Sequence, residues 1–228
     1  MISKLPGWIL SGAWGLAFIA GIVNVVGLLG FRHEAITHLT GNTSLLAEAV
    51  VAGHAASALH LAAILGAFVA GCVASGFIIQ DSTLQLGRRY GVALILVSAL
   101  LFLSIPLFEH GSNWGMYAAA GACGLQNAMV STYSGAVVRT THLSGMFTDL
   151  GISIGQALRG RRVDPRRVRL CALIISGFFC GGVVGAAAFG PFGYRSLLLP
   201  AGLTALAAVA YGAYRYRQRP AVGGGSAR

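Results

Sequence analysis

Residues 37–42 read Thr-His-Leu-Thr-Gly-Asn, and residues 141–145 read Thr-His-Leu-Ser-Gly. Each stretch opens an apolar segment, 40–56 and 144–158, that is shorter and more polar than an ordinary membrane-spanning helix. A small hydroxyl residue followed by glycine is typical of a helix start, where the hydroxyl accepts a hydrogen bond from a free backbone N–H. The sequence therefore predicts two short helices that begin at Thr40 and Ser144.

Six longer apolar runs surround these two motifs. A membrane-spanning helix needs about 20 apolar residues, and each run comes close to that length. The runs cover residues 7–29, 57–79, 90–108, 114–138, 168–189 and 196–215. We expect an all-α polytopic membrane bundle of six transmembrane helices plus two short re-entrant or broken helices.

Composition agrees with a chain whose main partner is the lipid bilayer. Of 228 residues, 56% are hydrophobic and only 10% are charged, whereas soluble domains carry about 25% charged residues. This composition excludes soluble globular, disordered and coiled-coil classes. The net charge of +10 does not indicate nucleic-acid binding, because the basic residues lie between apolar runs or at the chain ends, as in cytoplasmic loops.

The order long, short, long, long occurs twice, which indicates an internal repeat. Gly21 and Asn24 correspond to Gly124 and Asn127, just as the two opening motifs correspond to each other. We expect one integral membrane domain over residues 1–219. Repeat one covers about 7–108, repeat two covers about 114–215, and residues 220–228 form a disordered tail.

The distribution of arginine favours six spans over eight. If both short helices re-enter, nearly all basic residues lie in the cytoplasm, and only Arg32 and Arg195 lie outside. Three spans per repeat then give the two halves opposite orientations and place both termini in the cytoplasm of a bacterial inner membrane. Eight spans with parallel repeats remain the alternative.

Inverted repeats with half-length helices are typical of transporters. The N-terminus of a short helix presents free N–H groups and a positive dipole, which suit a small polar or anionic solute. We expect the two short helices to face each other at the centre of the membrane. The chain would then be a transporter or channel whose pathway lies between the repeats, with the carboxylates of Glu48 and Asp149 as candidate coupling acids. The predicted pathway residues are Asn24, Thr40, Gly41, Asn42, Gln126, Asn127, Ser144 and Gly145.

A second interpretation is a membrane scaffold or a subunit of a larger complex. In that case the amides and glycines only hold helices together, and a homo-oligomer is compatible with either interpretation. The chain carries no catalytic signature, no metal-ligand spacing and no cofactor motif. We therefore expect neither an enzyme nor a metal or cofactor site.

The same motifs carry a family resemblance. Residues 21–24, 37–43, 124–128 and 140–145 together resemble the YoaK-like family of bacterial multi-pass inner-membrane proteins, over about residues 7–215. The resemblance implies membrane placement and a polytopic topology. It implies no particular activity, because the family is uncharacterised.

Overall fold

The computed structural model describes residues 7–30, 32–79, 89–134 and 138–217. Within these ranges the only regular secondary structure is helical, which confirms the all-α prediction there. The helices are α1 (Gly7–Leu29), α2 (Leu39–Val51), α3 (Ala55–Ile78), α4 (Arg89–Glu109), α5 (Asn113–Ser134), α6 (Leu143–Leu158), α7 (Pro165–Phe192) and α8 (Leu198–Arg217), with a 3-10 turn at Gly193–Leu197. The tail predicted at 220–228 lies outside the described residues.

Four helical stretches are long and apolar enough to cross a membrane. They are Leu10–Leu29, Ala55–Ile78, Arg89–Glu109 and Pro165–Tyr216, and the last contains both α7 and α8. These stretches indicate a multi-pass membrane protein. The span expected at 114–138 corresponds to α5, which has 22 residues but is not among the four stretches. The count of six spans therefore stays a prediction.

Two glycine-mediated helix pairs form the centre of the bundle. α1 packs against α7, and α3 packs against α5. A Cβ atom at Gly181 would collide with the backbone oxygen of Phe18, and one at Gly124 would collide with that of Phe68. Because only glycine permits this approach, the pairs resemble the small-residue interfaces of membrane helices.

The contacts also fix the direction of each helix. Trp14 lies beside Gly177 and Ile22 beside Gly185, so α1 and α7 run parallel. His60 contacts Tyr117, and Phe68 lies beside Gly124, so α3 and α5 also run parallel. α4 runs antiparallel to α5, since Tyr90 packs on Tyr133 and Phe108 lies beside Gly115. It also runs antiparallel to α8, where Ser98 donates to the backbone oxygen of Ala201 (2.9 Å). We call the end at which α1 stops and α5 starts end A, and the opposite end end B.

The two short helices lie at the outside of the bundle. α2 packs against α3 and α6 packs against α7, and no contact joins α2 to α6 in the described structure. α1 ends and α3 begins at end A, so the segment 32–54, which contains α2, leaves from end A and returns to it. The segment 138–164, which contains α6, does the same at end B. We call these the first and second returning segments. The expectation that the short helices face each other at the centre is wrong, because each lies against a helix of its own half.

The short helices also start differently from the prediction. They begin at Leu39 and Leu143, after His38 and His142, and no side chain caps either N-terminus. The histidine rings instead lie over Gly41 and Gly145, where a Cβ atom would collide with them. Each glycine is therefore explained by the histidine three residues before it.

Candidate functional site

Asn24 anchors the first returning segment to α1. Its Oδ1 atom accepts hydrogen bonds from the backbone N–H of Thr37 (2.9 Å) and from the Thr37 hydroxyl (2.8 Å). Asn24 lies five residues before the end of α1, so the segment dips about 8 Å back toward the bundle centre at 1.5 Å per residue. Within the segment, buried Asn42 donates from Nδ2 to the backbone oxygen of Ala35 (3.0 Å).

Asn127 makes the corresponding contacts in the second returning segment. Its Oδ1 atom accepts from the backbone N–H of Thr140 (3.1 Å) and, at 3.5 Å, from the Thr140 hydroxyl. The Ser134 hydroxyl accepts a further hydrogen bond from the backbone N–H of Val138 (2.9 Å). The two predicted asparagines thus tether chain segments that follow their own helices.

Gln126 connects the two halves at the centre of the bundle. Its side chain is buried, and Nε2 donates to the backbone oxygen of Leu16 on α1 (2.8 Å). The remaining predicted pathway residues lie at the starts of the short helices. Thr40 and Ser144 are exposed, and their carbonyl oxygens accept from Ser44 (3.1 Å) and Thr148 (2.9 Å). The structure therefore spreads the predicted pathway residues over separate contacts.

The two predicted coupling acids differ in their exposure and in their contacts. Glu48 is exposed on α2. Asp149 on α6 accepts from Nη2 of Arg167 at the start of α7 (2.8 Å), with the side chains 30% and 47% exposed. An exposed ion pair of this kind stabilises a protein by about 0–1 kcal/mol. Asp149 is thus engaged in fastening α6 to α7.

A buried polar cluster lies at end A, and its central residue is not among the predicted site residues. The side chain of His60 on α3 is 6% exposed. Its Nε2 atom lies 2.9 Å from Oε2 of Glu34 in the first returning segment, and its Nδ1 atom lies 2.8 Å from the Tyr117 hydroxyl on α5. Trp114 packs edge-on against the Tyr117 ring, with the ring centroids 5.5 Å apart.

The position of His60 on α3 could have revealed its burial. His60, Ile64, Phe68, Gly71 and Ser75 recur every three or four residues and form the buried face of α3. A histidine on such a face requires polar partners. The identity of those partners depends on the fold. In the described part of the chain, no three His, Cys, Asp or Glu side chains come together as a metal site would require.

A cavity of about 510 Å³ lies between α1, α4, α5 and α8, in the half of the bundle nearer end B. α1 and α4 belong to the first half of the chain, and α5 and α8 belong to the second. The walls are almost wholly apolar and aromatic, with three tyrosines among them. The lining residues are Gly12, Ala13, Trp14, Gly15, Leu16, Phe18, Ile19, Tyr90, Leu94, Met129, Val130, Tyr133, Leu203, Ala207 and Tyr211. None of the predicted pathway residues lines this cavity.

End A is tightly packed by comparison. The rings of Phe108 and Tyr194 stack with centroids 4.8 Å apart, and Phe189 packs edge-on against Tyr194. Nε of Arg195 donates to Oε1 of Glu109 (2.8 Å). The ends of α4 and α7 are thereby held together.

Residues 12–210 match the family described as protein of unknown function, DUF1275. The match covers most of the chain, so the chain belongs to this family. No curated protein and no solved structure matches it. Membership in an uncharacterised family is thus established, whereas no named relative tests the YoaK-like resemblance.

Proposed function

We propose that this protein is a bacterial inner-membrane transporter for a small amphipathic solute, with an apolar body and one polar group. The observation that carries the proposal is the cavity at the junction of the two halves. A largely apolar cavity with a few polar groups is the usual form of a small-molecule site. The solute class differs from the polar or anionic solute expected from the sequence, because the lining is apolar and aromatic.

The arrangement of helices supports two inverted repeats. α1 and α5 run in opposite directions, each is followed by a returning segment, and each carries the asparagine that anchors it. The parallel pairs α1–α7 and α3–α5 correspond to each other when the halves are exchanged. Re-entry of both segments, and hence six spans, is the topology that these contacts favour over eight spans.

The charges support a cytoplasmic location for end B. Arg89 starts α4 and Arg215 lies near the end of α8, both at end B. Further arginines lie at the same end, at positions 159, 161 and 162 between α6 and α7 and at positions 166, 167 and 169 at the start of α7. Because basic residues are enriched on the cytoplasmic side, the α1 start and the α8 end would face the cytoplasm. The cavity then lies in the cytoplasmic half.

Filling the cavity tests the proposal. Gly15 lines it and has open space where a Cβ atom would stand, so Gly15→Leu should occupy part of its volume. We expect the purified protein in nanodiscs to bind 1-aminoanthracene, detected by energy transfer from Trp14, with benzoate and phenethylamine as competitors. Gly15→Leu should weaken binding at least tenfold, which corresponds to about 1.4 kcal/mol, because the leucine side chain would occupy volume that the probe needs.

The matched control is Gly66→Leu, because Gly66 on α3 also has open space but lies outside the cavity. It should bind the probe as the native protein does. Proteoliposomes should then take up radiolabelled benzoate or phenethylamine through the native protein and Gly66→Leu, and more slowly through Gly15→Leu. Equal uptake by all three, or none, would remove the basis for a transport pathway here.

A non-transport scaffold or complex subunit is the second candidate. The observation in its favour is that Asn24, Asn42, Gln126 and Asn127 are all used in hydrogen bonds within the chain. Absence of both probe binding and uptake would favour this candidate. A homo-oligomer is compatible with either function.

A further inference from the structure

We propose that Glu34, His60 and Tyr117 form a proton-binding site that controls how tightly the first returning segment is held at end A. The three residues come from three separate elements: Glu34 from the returning segment, His60 from α3 and Tyr117 from α5. His60 is the only member that contacts both of the others in the described contacts. A change in its protonation is therefore felt by the segment and by α5 together.

Proton uptake changes both hydrogen bonds of the imidazole. In the neutral ring, one nitrogen donates and the other accepts. With the hydrogen on Nε2, the ring donates to Glu34 and accepts from the Tyr117 hydroxyl. In the imidazolium both nitrogens donate, so the Glu34 contact becomes an ion pair and the Tyr117 hydroxyl must become an acceptor. Hydrogen bonds between ionised partners are stronger than neutral ones, so the proton tightens the tether.

Glu34 and Tyr117 are the titratable groups that hydrogen-bond to His60. Arg32 donates from Nε to Oδ1 of Asn113 (3.0 Å) and acts electrostatically on Tyr117. On the other elements that pack against α3, Glu48 of α2 is exposed and Glu109 of α4 pairs with Arg195. The remaining titratable groups on these elements are His33 and His38 of the first returning segment, which are both exposed, His54 and Cys72 of α3, Arg89 and Tyr90 of α4, and Cys123 and Tyr133 of α5.

Histidine is suited to this role because its charge changes near neutral pH. The tethered segment carries Thr37, which Asn24 of α1 holds, and an internal hydrogen bond joins Asn42 to the backbone of Ala35. Protonation therefore reinforces a segment that the fold already fastens at end A, and deprotonation weakens one of its attachments. Resting on the proposed transport function, the site would make opening of end A sensitive to pH on that side.

Trp114 provides a local reporter of the proton. Its ring packs on Tyr117, and a nearby imidazolium quenches indole fluorescence. In a Trp8→Phe/Trp14→Phe background, Trp114 is the only tryptophan. We expect its emission in nanodiscs to fall on acidification between about pH 8 and 5. His60→Gln should abolish this change, because it removes the ring that links Glu34 to Tyr117.

His110→Gln is the matched control, since His110 is exposed and lies four residues before the reporter. It should keep the native titration. Tyr117→Phe retains the ring beside Trp114. Its emission maximum should match that of the native protein, which would show that a substitution in this cluster leaves the fold intact. Absence of any titration in the native background, or an unchanged titration in His60→Gln, would overturn the proposal.

Uptake measurements separate this proposal from the transport function. If the native protein takes up benzoate or phenethylamine, uptake should change with pH on the end A side and should lose that dependence in His60→Gln. If no uptake occurs but Trp114 still titrates through His60, the proton site stands and the transport function fails. If uptake occurs without a His60-dependent titration, the proton site fails alone.

Discussion

The two returning segments share an anchor but differ in the charged contact beside it. In both, an asparagine of the preceding long helix accepts from a threonine N–H: Asn24 from Thr37 and Asn127 from Thr140. At end A the adjacent contact is the buried pair of Glu34 and His60. At end B it is the exposed pair of Asp149 and Arg167.

The difference indicates which end can respond to pH. Arginine stays protonated at any physiological pH, so the contact between Asp149 and Arg167 is constant there. Histidine changes its charge in the physiological range. The charged contact beside the anchor is therefore constant at end B and sensitive to pH at end A. A transporter built from inverted repeats can use this asymmetry.

The largest expected effects come from the glycines at which α3 crosses α5 and α1 crosses α7, because these crossings hold the two halves together. Gly124→Ala in the α3–α5 pair and Gly181→Ala in the α1–α7 pair should each lower the free energy of unfolding by about 1–3 kcal/mol, because the added methyl group meets a backbone carbonyl. Unfolding in SDS, followed by circular dichroism, measures the loss. Comparable losses would show that the two helix crossings stabilise the protein equally.

Gly66→Ala and Gly190→Ala are the controls, since both glycines lie in helices with open space around them. Alanine is a better helix former than glycine by about 1 kcal/mol, so neither control should destabilise the protein. A loss in Gly124→Ala no greater than that in Gly66→Ala would contradict the close crossing.

Smaller effects are expected from the asparagine anchors. Asn24→Ala and Asn127→Ala each leave a threonine N–H without its acceptor, which costs about 1–2 kcal/mol for a partly buried group. Asn24 should matter more, because its hydrogen bonds are 2.9 and 2.8 Å long, against 3.1 and 3.5 Å for Asn127. The same SDS titration checks the order. A larger loss in Asn127→Ala would reverse the comparison.

Sequence patterns predicted the local features well. The apolar runs predicted the ends of the six long helices to within four residues. Gly177, Gly181 and Gly185 recur every four residues, and this spacing places all three on the helix face that packs against α1. Gly71 on α3 follows the same rule. Periodicity within one helix was sufficient in each case.

Features that depend on distant partners could not be predicted. Asn24 was interpreted as a pathway residue because an amide inside an apolar run needs a partner, and nothing in the sequence pointed to Thr37. Glu34 and His60 are 26 residues apart, and only the return of the segment toward α3 joins them. The cavity arises where four helices from both halves meet, so no single helix pattern contains it. The hydroxyl caps expected at Thr40 and Ser144 were wrong for a local reason, because each helix begins one residue earlier, after a histidine whose ring packs over the glycine three residues later.

The smallest effect distinguishes an ion pair from a coupling acid. Asp149→Asn removes the charge that pairs with Arg167 while keeping the side chain's size. Because both side chains are substantially exposed, we expect a loss of about 0.2–1 kcal/mol in the free energy of unfolding. The loss should diminish at high salt, where exposed charges are screened.

Solute uptake in proteoliposomes provides the second measurement for Asp149→Asn. If Asp149 only fastens α6 to α7, uptake by the variant should equal that of the native protein at every pH. If the variant instead abolishes pH-dependent uptake while His60→Gln leaves it intact, the roles of the two ends are exchanged. The adjustable contact would then lie at end B, in the segment where the sequence placed a coupling acid, and the permanent contact would lie at end A.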